Sequence, residues 1–367
     1  MDFMPPDDLA EEILSDNRKL VSEFNAKPIG TVRELPRFYT FENNLIHSHR
    51  DFDIFFKRLR SGERSAIVSG LNASGQLHLG HKVVFDTNLL FQKEYGVHVF
   101  IPISDDESYV SKKVATQEDA LKNAMALARE MLAYGFDPKK THIIIDQVYT
   151  NIYNLAIKLS RHITMSEIKA IYGYKNEENV GLHFYPTIQS AHVLLPQHLF
   201  GIRNVLVPIG PDEDAHLRAA RDIASRTGME KPAVLHTIFL PGVDNAKMSK
   251  SKNNAIFYND DEKTITKKIM NAFSGGRSTI EEHRRLGGNP DVDVSYIYLR
   301  SYFLNRRESE ALAKEYRDGK LLSGELKKML AEKVIDEVRR VKENLAKVTN
   351  GELEEALLKN ESRQKID

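Results

Sequence analysis

Short β-rich runs alternate with amphipathic helical patterns between residues 65 and 240, and this alternation constrains the fold most. The runs are AIVSG (66–70), VHVFIPIS (97–104), HIIID (142–146), NVLVPIG (204–210) and AVLHTIFL (233–240). Helical patterns between them include 81–96, closed by Gly96, and 116–134, closed by Gly135. Strands that alternate with helices of this length predict parallel βαβ units and an α/β, doubly wound sheet.

The chain divides into three predicted regions. Residues 1–64 are a charged N-terminal extension without a strong period, and 65–258 are the α/β domain, with a helical insertion at about 151–195. Strand signals stop near residue 260, so 259–367 are predicted to be an α-helical domain.

Composition excludes several kinds of site and partner. Lysine plus arginine equals aspartate plus glutamate, 52 each, so an anionic partner needs a local basic patch. The absence of cysteine excludes disulfides, thiolate zinc sites, iron–sulfur clusters and a cysteine nucleophile. The histidines are too scattered to predict a metal site. No run reaches the roughly 18–20 apolar residues of a membrane helix, and the acidic N-terminus is unlike a signal peptide. We therefore expect a cytoplasmic protein with no membrane partner.

Two short motifs suggest phosphate chemistry. HLGH (78–81) follows a strand and a glycine-rich turn and opens a helix, where free N–H groups suit phosphate. By itself it is equally consistent with a structural turn. KMSKS (247–251) places two lysines three residues apart after the last predicted strand, and lysine suits a moving polyphosphate. A plain solvated loop is the weaker interpretation of those five letters.

HLGH and KMSKS, in this order in an α/β chain, resemble the two signatures of class I aminoacyl-tRNA synthetases. YPTIQSAHVLL (185–195) and VPIGPDEDAHLRAARDIA (207–224) resemble the tryptophanyl/tyrosyl subclass. AFSGGRSTIEEHRRLGGNPDVDVSYIYL (272–299) resembles the archaeal and eukaryotic branch of the tryptophanyl enzymes, and the likeness runs from about residue 19 to 349.

The resemblance implies a Rossmann-like catalytic domain, a helical anticodon-binding domain and a homodimer. It implies activation of tryptophan with ATP and Mg²⁺ (carried by the nucleotide), followed by transfer to the 3′ end of tRNA(Trp). A tyrosine enzyme and a catalytically silent tRNA-binding homologue are the alternatives.

By the same resemblance, His78, His81, Lys247 and Lys250 are catalytic, acting on the ATP phosphates. The wider ATP site is Gly70, His78, Gly80, His81, Gly210, Asp212, Lys247, Met248, Ser249 and Lys250. Displacement at the α-phosphorus depends on positioning and charge stabilisation. A general base is not required, because the attacking carboxylate is already ionised.

For the amino acid, the resemblance assigns Glu107 and Gln189 to the α-ammonium group. Glu213 stands where the family usually has glutamine, and its role stays open. Val68 and Pro102 replace the tyrosine and glutamine that reach the indole N–H in the eukaryotic branch. A buried N–H without an acceptor costs about 1–3 kcal/mol. We expect His192 to supply the acceptor, since a neutral imidazole nitrogen accepts hydrogen bonds. The alternative is a packed histidine satisfied by its surroundings.

We expect tRNA to bind the predicted α-helical region, residues 259–367. Arg277, in SGGRST, matches a position expected to contact the anticodon. Lys267, Lys268, Arg284 and Arg285 are candidates for the local basic patch.

Overall fold

A computed structural model describes residues 19–246, 248 and 254–360. Within them, one eight-stranded sheet forms the centre of the molecule. Its strands are β1 (Lys27–Pro28), β2 (Ile46–Arg50), β3 (Ser65–Val68), β4 (Leu71–Asn72), β5 (His98–Ser104), β6 (Thr141–Ile145), β7 (Asn204–Ile209) and β8 (Ala233–Thr237). All five predicted β-rich runs contain a strand, so the predicted α/β class is confirmed.

The sheet is doubly wound about β3. From β3 the chain proceeds through β5 to β6 on one side, and returns through β7 to β8 on the other, all in parallel pairs. The carboxyl ends of β3 and β7 therefore lie side by side where the strand order reverses. In open α/β sheets ligands bind in the crevice at this position.

The sequence did not predict β1 and β2, which add antiparallel to the β8 edge. The reason lies in the composition of β2, IHSHR, which lacks an apolar run. Ser48 and His236 are fully buried, and Ser48 Oγ lies 2.9 Å from His236 Nδ1. Polar side chains that satisfy each other inside the protein produce no hydrophobic signal.

Helices cover both faces of the sheet. Along the α/β region they are α1 (Tyr39–Glu42), α2 (Phe52–Arg60), α3 (Lys82–Tyr95), α4 (Asp105–Val110), α5 (Gln117–Tyr134), α6 (Asn151–Ser160), α7 (Met165–Tyr172), α8 (Val180–Phe200) and α9 (Asp214–Arg226). Gly96 ends α3 with a φ of 69°, and Gly135 follows α5, as predicted. The expected helical character of 151–195 is confirmed by α6, α7 and α8.

After β8 the described chain is helical. Its helices are α10 (Glu262–Met270), α11 (Ile280–Leu286), α12 (Val294–Tyr302), α13 (Arg306–Arg317), α14 (Ser323–Leu345) and α15 (Asn350–Ala356). The described chain then returns to the sheet, where the Leu358 N–H donates to the Ile143 carbonyl at 2.9 Å. The domain boundary at residue 259 stays a prediction.

The core continues from the sheet into the C-terminal helices. Ile67 and Ile101 on one sheet face share a hydrophobic cluster with Leu330 and Val334 of α14. Phe100, on the opposite face, packs with residues of α6, α8 and α9. Buried Lys82 also joins α3 to α14, with its Nζ 2.9 Å from Asp86 and 3.1 Å from Glu337. Among the described residues, no helix has the length and apolar character needed to cross a membrane.

Candidate active site

A cleft of about 640 Å³ opens at the carboxyl ends of β3 and β7. It brings together residues that the sequence predicted for both substrates: Gly70, His78, Gly80, His81, Glu107, Gln189, His192, Gly210, Asp212, Glu213 and Met248. Residues far apart in the chain therefore share one surface. Lys247, Ser249 and Lys250 lie outside the described residues.

HLGH forms a tight turn at the wall of this cleft. Leu79–His81 are a 3₁₀ turn that leads directly into α3. The Gly80 N–H donates to His78 Nδ1 at 3.1 Å, and the His78 N–H donates to His81 Nδ1 at 3.2 Å. The two rings are 3.9 Å apart. The motif is thus an ordered turn that also lines the cleft, and its action on phosphate stays a prediction.

The segment after KMSKS pairs with the segment around HLGH. The Leu79 N–H donates to the Ile256 carbonyl and the Tyr258 N–H donates to the Leu77 carbonyl, both at 3.0 Å. Met248 approaches Gly80 so closely that a Cβ there would lie 2.9 Å from its Sδ. Only glycine permits this approach of a side chain to the backbone.

Gly210 and Asp212 follow β7 on the other side of the cleft. Pro211–Glu213 form a 3₁₀ turn that leads into α9. A Cβ at Gly210 would lie 2.7 Å from Asp212 Oδ1 and 3.3 Å from the Phe239 ring. Gly70, after β3, has more room, because a Cβ there would meet nothing nearer than Pro102 at 3.7 Å. Backbone approach therefore explains glycine at 210 but not at 70.

Glu107 offers a buried carboxylate oxygen at the cleft. It lies in α4, directly after β5, and only 9% of its surface is exposed. Lys113 Nζ binds its Oε1 at 2.9 Å, whereas its Oε2 is buried without a hydrogen-bond partner among the described residues. A carboxylate oxygen in this state suits a ligand ammonium group.

Gln189 and Glu213 belong to one polar network. The Tyr172 hydroxyl donates to Gln189 Oε1 at 2.7 Å, and Gln189 Nε2 donates to Glu213 Oε2 at 3.4 Å. His216 Nδ1 lies 2.7 Å from the same Glu213 oxygen, and its ring stacks on Tyr172. Burial acts to raise the pKa of Glu213, but hydrogen bonds from His216 and Gln189 outweigh it and hold the pKa below its usual range.

His192 lies on α8 at the back of the cleft, with Val68 and Pro102 also among the lining residues. Its Nε2 is 2.7 Å from Oδ1 of Asp146, and both side chains are buried. Burial lowers the pKa of His192 to about 4, so the ring is neutral near pH 7. When Asp146 is ionised it accepts the Nε2 proton, which leaves Nδ1 as the accepting nitrogen.

Sequence reasoning missed several polar side chains of the cleft: Lys113, Tyr172, Tyr174, Tyr185 and His216. The Tyr185 hydroxyl lies 3.0 Å from Ser104 Oγ, and burial raises the pKa of Tyr174 to about 12. Lys113, Tyr172 and Tyr174 lie outside the segments that resemble the family, whereas Tyr185 and His216 lie within such segments but were assigned no role. The one available signal was the unusual frequency of tyrosine and histidine between residues 172 and 192.

Comparison with known proteins agrees with this geometry. A family model described as "tRNA synthetases class I (W and Y)" matches residues 60–339. The chain belongs to this family. It is therefore an aminoacyl-tRNA synthetase, a ligase.

Three archaeal proteins illustrate what this synthetase is similar to. The tryptophan–tRNA ligase of Methanopyrus kandleri is 35% identical over 90% of this chain and 92% of its own length. The tryptophan–tRNA ligase of Methanocaldococcus jannaschii is 38% identical over 89% of this chain and 91% of its own length. The crystal structure of tryptophanyl-tRNA synthetase from Aeropyrum pernix superposes with a TM-score of 0.86 at 31% identity, and covers 95% of this chain and 98% of its own.

A buried Ser–His–Asp arrangement next to the cleft of the synthetase has a structural role. Ser48 Oγ contacts His236 Nδ1, and His236 Nε2 lies 2.9 Å from Asp214 Oδ1. Arg50 binds both oxygens of Asp214 at 2.7 and 2.9 Å. The three residues are at most 1% exposed, so a substrate cannot reach the serine. The arrangement ties β2 and β8 to the start of α9.

Arg277 is not among the residues that line the cleft. It is exposed in the loop before α11, where its Nε donates to the Gly287 carbonyl at 3.0 Å. Two members of the expected basic patch have internal partners: Lys268 binds Asp260 at 2.8 Å, and Arg284 binds the Gly319 carbonyl at 3.0 Å. Lys267 and Arg285 are exposed.

Proposed function

We propose that this synthetase is a tryptophan–tRNA ligase. It activates tryptophan with ATP to tryptophanyl-adenylate and pyrophosphate, and then transfers the tryptophanyl group to the 3′ end of tRNA(Trp). The observation that carries the proposal is the single cleft that joins HLGH, Glu107 and His192. Relatives named as tryptophan–tRNA ligases, alike over about nine-tenths of both chains, support the choice of amino acid.

In the activation step, the tryptophan carboxylate attacks the α-phosphorus of ATP. The bond from phosphorus to the bridging oxygen breaks, and its electron pair leaves with pyrophosphate. His78 and His81 contact the phosphates from the HLGH turn, and Lys247 and Lys250 neutralise the leaving pyrophosphate. The Mg²⁺ that accompanies ATP supplies further charge neutralisation. Such preorganised donors act on charge that develops in the transition state.

Glu107 binds the α-ammonium of tryptophan through its buried Oε2. Lys113 binds the other oxygen of this carboxylate, which leaves Oε2 as the oxygen that can meet the substrate. Gln189 contacts the same end of the substrate, since Tyr172 and Glu213 hold both ends of its amide. Glu213 acts through Gln189, which gives a role to the glutamate found in place of the family's usual glutamine.

His192 accepts the indole N–H through Nδ1. This role requires an ionised Asp146, which accepts the Nε2 proton of the neutral ring and leaves Nδ1 as the acceptor. The side chains of Val68 and Pro102 line the same cleft but have no acceptor, so they contribute apolar contact only.

The C-terminal helices bind tRNA, with Arg277 at the anticodon, and the synthetase acts as a homodimer. Arg277 is exposed, as a nucleic-acid contact requires. Light scattering after size-exclusion chromatography tests the dimer, and a monomer at micromolar concentration would contradict it.

Pyrophosphate exchange with each of the twenty amino acids tests the function. We expect exchange with tryptophan, followed by charging of a tRNA(Trp) transcript. Exchange with tyrosine alone would indicate a tyrosine enzyme. No exchange with any amino acid, by a folded protein that still binds tRNA, would indicate a catalytically silent homologue.

A further inference from the structure

Three aspartates meet behind the cleft, at the ends of two neighbouring strands. Asp105 and Asp106 follow β5 directly, and Asp146 follows β6. Because β5 and β6 are parallel neighbours, their carboxyl ends lie at the same edge of the sheet. One carboxylate oxygen from each aspartate lies within 4.8 Å of the other two.

The negative charge of this cluster has no lysine or arginine partner among the described residues. Asp105 and Asp146 are fully buried, and neither forms an ion pair with a lysine or arginine there. The imidazole of His192 contacts Asp146, with its Nε2 2.7 Å from Oδ1. Three carboxylates this close together, two of them fully buried, need a positive charge to balance them.

The hydrogen bonds of the cluster leave one oxygen unused. Asp105 accepts the Asp146 N–H at 2.8 Å and Gln147 Nε2 at 2.7 Å. Asp106 accepts the Glu107 N–H at 2.6 Å. Asp146 Oδ1 binds His192, but Asp146 Oδ2 is buried and receives no N–H or hydroxyl donor among the described residues. The carboxyl groups of Asp106 and Asp146 lie within hydrogen-bonding reach of each other, so a proton or a cation must lie between them. A buried carboxylate oxygen without a donor is rare and requires an explanation.

We propose that Asp105, Asp106 and Asp146 bind one divalent cation, Mg²⁺ or Mn²⁺. Carboxylate oxygens from three side chains are the ligands that such hard cations prefer. The ion binds Asp146 Oδ2 and neutralises the cluster. This site differs from the one for the Mg²⁺ that ATP carries, because it is formed by protein side chains behind the cleft and exists without nucleotide.

The cation has a consequence for the cleft, and this consequence rests on the proposed function. An ion on Asp146 keeps that carboxylate ionised, so it accepts the Nε2 proton of His192. Nδ1 then stays available to accept the indole N–H. Asp146 is thus a positioning residue that acts through His192.

Mn²⁺ binding to the full chain without ATP tests the site. We expect the electron paramagnetic resonance signal of free Mn²⁺ to fall with a stoichiometry of one ion per chain. Asp146→Asn and Asp106→Asn should each weaken binding at least tenfold. Asp222→Asn is the matched control, because it removes the same charge from an exposed position on α9 and should leave binding unchanged.

Two results would overturn the proposal: no saturable Mn²⁺ binding by the wild-type protein, or equal binding by the wild type and both cluster variants. The first result would indicate that a proton held between Asp106 and Asp146 balances the charge instead. Should the variants fail to fold, Tb³⁺ provides a test on the wild type. The Tyr153 hydroxyl lies 3.5 Å from Asp106 Oδ2, so tyrosine excitation should sensitise Tb³⁺ emission, and Mn²⁺ should suppress it. Absence of sensitised emission overturns the site, whereas tryptophan-dependent pyrophosphate exchange would still support the proposed function.

Discussion

Nε2 of His192 lies 2.7 Å from Oδ1 of Asp146, and this contact decides which imidazole nitrogen can face a substrate. We expect His192→Phe to raise KM for tryptophan in pyrophosphate exchange roughly tenfold, since an unsatisfied indole N–H costs about 1–3 kcal/mol. His192→Gln retains a hydrogen-bond acceptor, so its KM for tryptophan should rise less than that of His192→Phe. An analogue with sulfur in place of the indole N–H should be used equally well by wild type and His192→Phe. An unchanged KM for tryptophan in His192→Phe would rule out the acceptor role.

Glu107 should decide binding of the ammonium group. Glu107→Gln removes the charge near that group, and we expect tryptophan to bind about 10–100-fold more weakly, because hydrogen bonds to charged groups contribute about 1.5–3 kcal/mol. The chain has no tryptophan, so substrate fluorescence reports binding without background. Indole-3-propionate, which lacks the ammonium, should bind wild type and variant equally. Glu118→Gln, which removes the same charge from an exposed position on α5, serves as the control, and tryptophan binding weakened as much by it as by Glu107→Gln would contradict this assignment.

Gly80 should tolerate no side chain. A Cβ there would lie 2.8 Å from His78 Nδ1 and 2.9 Å from Met248 Sδ, so either the HLGH turn or residue 248 must shift. We expect Gly80→Ala to lower kcat/KM for ATP on the order of 100-fold, as a displacement of about 1 Å does in other active sites. Gly324→Ala has open space around its Cβ and is the control for folding. Wild-type kinetics in Gly80→Ala would show that the close approach is unimportant.

Arg277 should affect tRNA but not tryptophan activation. We expect Arg277→Ala to reduce kcat/KM for aminoacylation about tenfold and to leave pyrophosphate exchange unchanged, since the side chain lies outside the cleft. Arg203→Ala, another exposed arginine, is the control. Loss of exchange activity in Arg277→Ala would point to a structural role through its bond to Gly287.

The Arg50–Asp214 pair should stabilise the fold in a pH-dependent way. Burial acts to raise the pKa of Asp214, but hydrogen bonds from His236 and Arg50 outweigh it and hold the pKa well below its usual range. A lowered folded-state pKa means that the stabilisation is complete above the unfolded pKa of about 3.9 and is lost as pH falls toward the folded pKa.

We therefore expect Asp214→Asn to lower the free energy of unfolding at pH 7 by about 3–5 kcal/mol, as for other broken buried pairs. Urea denaturation at several pH values measures this, and the difference from wild type should shrink below about pH 4. Arg50→Met removes the other partner of the pair and should also lower the free energy of unfolding at pH 7. A difference that stays constant from pH 7 to about pH 3 would mean that the Asp214 charge is not its source.

The elements that the sequence predicted correctly carry local signals. The β-rich runs at β5, β6 and β7 are apolar because both of their faces are covered, and Gly96 marks the end of α3 by its backbone conformation. The missed strand β2 has a polar sequence whose partners lie almost 190 residues away, in β8. The pattern of residues 1–64, which lacks a strong period, therefore predicts neither β1 nor β2.

By itself, the sequence determined the fold class and predicted the chemistry of the two motifs, because strand–helix alternation and the HLGH and KMSKS letters are short-range patterns. Only the tertiary structure decided which side chains meet. It gave His192 an aspartate partner, left one oxygen of Glu107 and one of Asp146 without a donor, and brought three carboxylates together between β5 and β6. These contacts depend on strand order and helix packing. Residues 40 or more positions apart in the chain then become neighbours in space, and no local sequence pattern predicts that they will meet.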